Sequence, residues 1–137
     1  MLGLKKVGGG IMGLIIDCYT KKYAVFSGRA RRKEFWLFIL FLLLGAYIPP
    51  VIFGESMFEP DTSGVVLVGL GLWVLFMLFN IIPAISVSVR RLHDVDKSGW
   101  WYWIGLVPLI GLIILFFYVQ KGTVGANRFG PDPLGDS

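Results

Sequence analysis

Apolar residues in this chain are gathered into long runs rather than spaced at the period of a soluble helix or strand. The runs cover about Phe35–Phe53, Val65–Val89 and Trp100–Val119. Each approaches or exceeds the roughly 18–20 residues that a helix needs to cross about 30 Å of hydrocarbon. The pattern predicts an all-α polytopic membrane protein with three transmembrane helices.

The remaining residues are polar or weakly apolar, and they divide the chain into three parts. Residues 1–34 are predicted to form a cytoplasmic N-terminal interfacial segment, residues 35–119 a three-helix membrane domain, and residues 120–137 a polar C-terminal tail. Residues 11–26 are expected to lie at the membrane surface as a short amphipathic segment, or else to form a partly ordered tail. The apolar side of that segment is predicted to carry Ile11, Leu14, Ile15, Cys18 and Tyr19.

The composition agrees with a membrane protein. Of the 137 residues, 55% are hydrophobic and 16% are charged, against roughly 45–50% and about 25% in soluble domains. Mean hydropathy is +0.72. Cys18 is the single cysteine, so no intrachain disulfide framework exists.

Basic residues are distributed unevenly around the apolar runs. Six lie between residues 21 and 33, none in the loop after the first run, three after the second run and two in the tail. Because loops rich in Lys and Arg stay in the cytoplasm, the N-terminus is predicted to be cytoplasmic. Three spans would then place the C-terminus outside. Trp36 and Trp100 begin the first and third runs, as expected for an aromatic belt at one membrane face.

Three polar segments stand out beside the runs: FSGRARRKEFW at 26–36, RRLHDVDKSGWW at 90–101 and NRFGPDP at 127–133. In this order they resemble a bacterial inner-membrane family catalogued as domain of unknown function 805. The resemblance covers roughly residues 19–134. It implies a location in the bacterial inner (cytoplasmic) membrane, and it implies no reaction because no general activity is established for the family.

The first segment places four basic residues within five positions, just before a predicted span. They are Arg29, Arg31, Arg32 and Lys33. Such a cluster can bind anionic headgroups, each charge contributing about 1 kcal/mol near the surface; plain topogenic charge is the alternative. Glu34 is expected to pair with Arg31 or with the second basic segment.

The second segment contains the only histidine, His93, next to Asp94. Three hypotheses fit it: a structural clamp of salt bridges that joins the spans, a lipid-headgroup site, or proton chemistry at the histidine, which titrates near neutral pH. The clamp is preferred. The candidate partners of Asp94 are the arginines of both segments: Arg29, Arg31, Arg32, Arg90 and Arg91.

Asn80 is the one strongly polar side chain inside a predicted span, and Pro83 follows it closely. Intramembrane amides usually bond across helices, so Asn80 is expected to hold helices together, with substrate or ion coordination as the alternative.

The sequence predicts no catalytic residues, no cofactor and no metal site. One histidine and one cysteine do not meet the ligand count of a metal centre, and no nucleophile, Walker or dinucleotide motif is present. Nucleic acid is not an expected partner, because the basic stretches adjoin predicted spans. The expected function is a non-enzymatic interaction or lipid-interface module. Its partners would be anionic membrane lipids and a second copy or another membrane protein. The alternative is a subunit of an oligomeric small transporter or channel.

Overall fold

The computed structural model describes residues 10–57, 59 and 64–135. This part of the chain is helical and contains no β-strand, so the all-α prediction is confirmed for it. The helices are α1 (Ile11–Thr20), α2 (Arg32–Phe53), α3 (Gly64–Asp94), α4 (Trp101–Ile104) and α5 (Pro108–Val119), with a 3₁₀ turn at Glu55–Met57.

Helices α2 and α3 are long and apolar enough to cross a membrane. They contain 22 and 31 residues, or about 33 and about 46 Å at about 1.5 Å per residue. Only 11% of the residues in the most apolar stretch of α2, and 6% of those in the corresponding stretch of α3, are buried. A core helix of a soluble protein would bury most of that surface, so the exposed apolar faces are those of a membrane protein.

Helix α3 continues past the predicted end of its span at Val89 and finishes at Asp94. The RRLHD sequence is therefore the last turn of a helix and not a loop. This turn lies beside the start of α2, because the backbone N–H of Ala30 donates to the carbonyl of Arg90 at 2.9 Å.

The third predicted span, Trp100–Val119, is divided into two helices. Val107 is extended (φ −74°, ψ 124°) just before Pro108, since proline disfavours the helical conformation in the preceding residue. The two helices run antiparallel, because the rings of Trp101 and Phe117 lie 5.7 Å apart. Their close approach requires Gly105, where a Cβ would lie 2.8 Å from Ile114. The prediction of one continuous third helix is wrong.

The α4–α5 hairpin begins and finishes at the same end of the molecule, next to the end of α3. The N–H of Thr123 donates to the carbonyl of Asp94 at 2.7 Å, and Arg32 Nη1 donates to the carbonyl of Val119 at 3.4 Å. The tail therefore lies beside both basic segments. The tail and the two basic segments are thus at the same end of the molecule.

Helix α1 packs against α2 and α3 more closely than a purely interfacial segment would. It ends at Thr20, and Cys18 is fully buried in a cluster with Phe35, Phe38 and Val87. Tyr19 packs against the same cluster. The predicted apolar side thus faces protein at its C-terminal end, whereas Ile11 is 56% exposed.

Two of the three prolines inside the long helices free carbonyl groups that side chains from neighbouring segments bind. Pro83 cannot donate to Phe79 four residues earlier, and the hydroxyl of Tyr23 donates to that carbonyl at 2.8 Å. Pro49 likewise frees the carbonyl of Gly45, to which the indole of Trp73 donates at 2.9 Å. These bonds attach α2 and the α1–α2 connection to α3.

Candidate functional site

A group of buried charges occupies the end of the molecule where α2 begins and α3 ends. Arg29 Nε donates to Asp94 Oδ1 at 2.9 Å, and Arg91 Nη1 donates to Asp94 Oδ2. The three side chains are 1%, 6% and 0% exposed. One carboxylate thus bridges a guanidinium from the segment before α2 and one from the last turn of α3, the pairing that the clamp hypothesis expects.

The two arginines also hold the chain that follows α5. Arg29 donates to the carbonyls of Gly125, at 2.6 Å, and of Thr123. Arg91 donates through Nε to the carbonyl of Tyr118 at 3.1 Å and through Nη2 to that of Gln120. Charge-assisted bonds to carbonyl oxygens compensate for the desolvation of a buried guanidinium. Asp94, Arg29 and Arg91 together form what we call the buried network, which joins three separate parts of the chain.

Gly122 is required for this arrangement. A Cβ at this position would lie 2.1 Å from Asp94 Oδ2, so any side chain would displace either the tail or the carboxylate. The backbone approaches Asp94 closely because nothing projects from Gly122.

A second buried pair lies beside the network. Arg90 Nη1 donates to Glu34 Oε1 at 2.6 Å, and Lys22 Nζ donates to the same oxygen at 3.0 Å. Glu34 therefore pairs with the second basic segment, one of the two partners that the sequence predicts for it. Among the described residues, Nε and Nη2 of Arg90 have no hydrogen-bond partner.

Cys18 lies in the same environment and is chemically quiet. Burial raises the pKa of its thiol to about 11, the charge of Glu34 acts in the same direction, and Arg90 opposes both. Because the thiolate is the nucleophile, a neutral buried thiol is a structural group at neutral pH.

His93 does not pair with Asp94 despite being its neighbour in sequence. Its Nδ1 lies 3.0 Å from the carbonyl of Gly28, and its ring stacks on Phe129 with centroids 3.9 Å apart. The amide of Asn127 donates to the carbonyl of His93 at 2.9 Å. The NRFGPDP segment is therefore a turn docked on the end of α3, and the side chains of His93 and Asp94 bind different partners rather than each other.

Asp132 organises that turn from within. It accepts from the backbone N–H groups of Gly125 and Leu134, each at 2.9 Å, and lies 4.0 Å from Arg29 Nη2. The hydrogen bonds from Leu134 and Gly125 lower the pKa of Asp132 below its ordinary value. The tail is thus held to the network by its own acidic residue as well as by its carbonyls.

The remaining predicted site residues lie elsewhere. Arg31, Arg32 and Lys33 are exposed at the start of α2 and lie outside the network. The basic residues of the first two polar segments are therefore divided between the surface and the interior, because Arg29, Arg90 and Arg91 are buried by the carboxylates and carbonyls that they bind.

Asn80 lies deeper, about midway along α3, and is 2% exposed. Its Oδ1 accepts from the hydroxyl of Tyr19, and its Nδ2 donates to the carbonyl of Phe76 at 2.7 Å. The amide thus holds α1 against α3, which is the helix-joining role expected from the sequence.

Sequence reasoning missed the residues that the tail supplies. Gly122, Thr123 and Asp132 belong to the predicted polar tail, and their sequence pattern assigns none of them a contact with the basic segments. Tyr23 and Trp73 were also missed. The signal for both was available in Pro83 and Pro49, each of which frees a carbonyl four residues earlier.

Within residues 10–57, 59 and 64–135, no group of three or more His, Cys, Asp or Glu side chains could hold a metal ion. Every charged group of the buried network is instead bonded to another part of the protein.

The fold and site define a small helical membrane protein whose polar end is joined by buried arginine–carboxylate pairs. The chain belongs to the family described as "Protein of unknown function (DUF805)", whose model matches residues 23–131. The resemblance found in the three polar segments is therefore confirmed. No solved structure matches the chain significantly.

Three relatives from one organism illustrate what the chain is similar to. The chain is 43% identical over 115 residues to "Inner membrane protein YhaH" of Escherichia coli (strain K12), a match covering 82% of this chain and 90% of that protein. It is 41% identical over 115 residues to "Inner membrane protein YhaI" of the same strain, with 82% and 89% covered. "Uncharacterized protein YiiR" is 32% identical over 133 residues, with 78% and 84% covered. These names state a location for two relatives and an activity for none.

Proposed function

We propose that this chain is a non-enzymatic integral protein of the bacterial inner membrane that acts as an interaction module at the lipid interface. The observation that carries the proposal is the buried network, in which Arg29, Asp94 and Arg91 are bonded to one another and to the tail. These charges hold the segment before α2, the end of α3 and the tail together at one end of the molecule. The exposed apolar faces of α2 and α3 remain for lipid or for another membrane protein.

The proposed topology has two crossings and a re-entrant hairpin. Helices α2 and α3 cross, whereas α5, with 12 residues, is about 18 Å long at about 1.5 Å per residue. That length is too short to cross about 30 Å of hydrocarbon and suits a re-entrant segment. The basic residues near Arg31 and Lys97 make the end that carries the network cytoplasmic, so both the segment before α2 and the tail lie in the cytoplasm. The names of the relatives support the inner membrane as the location.

A transporter or channel subunit fits the structure less well. Such a role needs polar groups that a substrate or ion can reach, and Asn80 is bound to Tyr19 and Phe76 within one chain. His93 is likewise covered by Phe129. The residues that favoured the alternative are therefore engaged in holding the fold.

Purified protein reconstituted in liposomes tests the proposal. We expect proton and potassium fluxes equal to those of protein-free liposomes, and a native mass that identifies a monomer or a small oligomer. Flux above that background, abolished by Asn80→Leu and kept by the lipid-facing control Leu78→Ala, would replace the module with a transporter. Leu78 suits the control because it is 57% exposed on the same helix.

A further inference from the structure

An open groove lies between the first turns of α2 and the end of α5. Its volume is about 480 Å³, and its lining residues are Arg32, Lys33, Trp36, Leu37, Leu40 and Val119. None of these residues belongs to the buried network. The groove is therefore a surface separate from the site described above.

The lining separates charge from apolar surface along the helix. Residues four apart lie on one face of a helix, so Arg32, Trp36 and Leu40 follow one another down α2, and Leu37 lies beside them one turn below Lys33. From Arg32 to Leu40 the groove extends about 12 Å, at about 1.5 Å per residue. It thus has two cations at the cytoplasmic end and an apolar floor toward the membrane interior.

Among the described residues, the two cations have no acidic partner in the groove. The lining contains no carboxylate, and the contact made by Arg32 is a long 3.4 Å bond to the carbonyl of Val119. Both side chains are exposed. Arg29 and Arg90, in contrast, already pair with the carboxylates of Asp94 and Glu34. An anion at the groove would therefore meet uncompensated positive charge beside apolar surface.

We propose that this groove binds an anionic phospholipid of the cytoplasmic leaflet. The phosphate is held by the guanidinium fork of Arg32 and the ammonium of Lys33, since both groups suit phosphate oxygens. An acyl chain lies along Trp36, Leu37 and Leu40. The inference rests on the proposed function and names a partner for its lipid interface. A free phosphate would use the cations but leave the apolar floor without an occupant.

The test compares lipid retention by matched variants in native mass spectrometry. Arg32→Gln with Lys33→Gln removes two charges from the groove, and Arg31→Gln with Lys121→Gln removes two exposed charges that do not line it. In phosphatidylglycerol, we expect the groove variant to retain about thirtyfold less lipid than the unmutated protein, since each basic group contributes about 1 kcal/mol near an anionic surface and about 1.4 kcal/mol corresponds to a factor of ten. The control should lose much less, because its two charges do not contact the bound phosphate. Equal retention by the two variants would overturn the site in favour of diffuse charge.

A second pair of variants tests the apolar floor. Leu40 lines the groove and is 52% exposed, whereas Leu44 lies one turn on, outside the groove, and is 50% exposed. We expect Leu40→Ala to lower retention of phosphatidylglycerol and Leu44→Ala to leave it unchanged. Millimolar inorganic phosphate should not displace the lipid. Displacement by phosphate, together with no effect of Leu40→Ala, would assign the cations to a free anion and end the lipid proposal.

Labelling of Cys18 by a thiol-reactive dye during heating identifies any variant that does not fold. If the charge variant fails this check, the leucine pair still decides the question. Lipid retention and ion flux are separate measurements. A failure of the lipid site would therefore not contradict the proposal of a non-enzymatic module. Flux in liposomes would reject that module whether or not the groove binds lipid.

Discussion

The Nε atom of Arg29 lies 2.9 Å from Oδ1 of Asp94, and both side chains are almost fully buried. The pair connects residues 65 positions apart, one before the first long helix and one at the end of the second. Because Asp94 also binds Arg91, one carboxylate compensates two buried guanidinium groups. The stability of the polar end should therefore depend strongly on this carboxylate.

Asp94→Asn should destabilise the protein by about 3–5 kcal/mol, because removing one partner leaves a buried charge uncompensated. The measurement is thermal unfolding in detergent, followed by dye labelling of the buried Cys18. Asp96→Asn is the control, since Asp96 pairs with Arg128 at a surface where the side chains are 46% and 62% exposed, and such pairs contribute about 0–1 kcal/mol. Similar losses of stability in the two variants would show that the buried network does not stabilise this end of the molecule.

The tail should be cytoplasmic. A reporter fused after Ser137 is expected to show cytoplasmic activity, because α4 and α5 form a hairpin on the side of the basic residues. A reporter inserted between α2 and α3 should be active outside. If the reporter after Ser137 and the reporter between α2 and α3 are both active outside, the third apolar run crosses the membrane.

The hydroxyl of Tyr23 should matter only because Pro83 is present. Tyr23→Phe leaves the carbonyl of Phe79 without its donor, which should cost about 1–2 kcal/mol. In a Pro83→Ala background the backbone N–H of residue 83 can donate to that carbonyl, so the cost of Tyr23→Phe should fall by about 1 kcal/mol. Thermal unfolding of the four proteins gives this coupling. An unchanged cost in both backgrounds would mean that the hydroxyl does not replace a missing helical bond.

Docking of the tail should weaken in acid. The pKa of Asp132 is lowered in the folded protein by hydrogen bonds from Leu134 and Gly125. Its contribution to the stability of the docked tail is therefore fully present above the range where an unfolded aspartate titrates, about pH 4. The contribution disappears as the pH falls through the lowered pKa. Hydrogen exchange at the Gly125 amide, corrected for its intrinsic rate, should rise over that range.

Asp132→Asn provides the comparison for this pH effect. The variant keeps the size of the side chain but removes its charge, so it should already show faster exchange at Gly125 at neutral pH, with little further change in acid. If both proteins show the same exchange from neutral to acidic pH, the carboxylate does not hold the turn.

Local composition was enough to predict the class of protein and much of its helical content. The uncharged run after Phe35 and the apolar run after Val65 can be satisfied in a membrane only as helices, because a helix bonds its own backbone. The three polar segments were enough to identify the family. The sequence also indicated that Asp94 and Glu34 would find arginine partners, since buried carboxylates require a cation or donors.

Tertiary structure decided which partners those were and where the third run goes. Pro108 and Gly105 together convert an apolar run of about spanning length into a hairpin, and composition averaged over that run does not register one extended residue at Val107. The choice of Arg29 over Arg31 for Asp94 likewise depends on packing between segments far apart in the chain. The need for a glycine at position 122 likewise cannot be predicted from the sequence, because it arises only when the tail folds back onto Asp94. Hydropathy is a property of neighbouring residues, whereas these contacts exist only between residues that folding brings together.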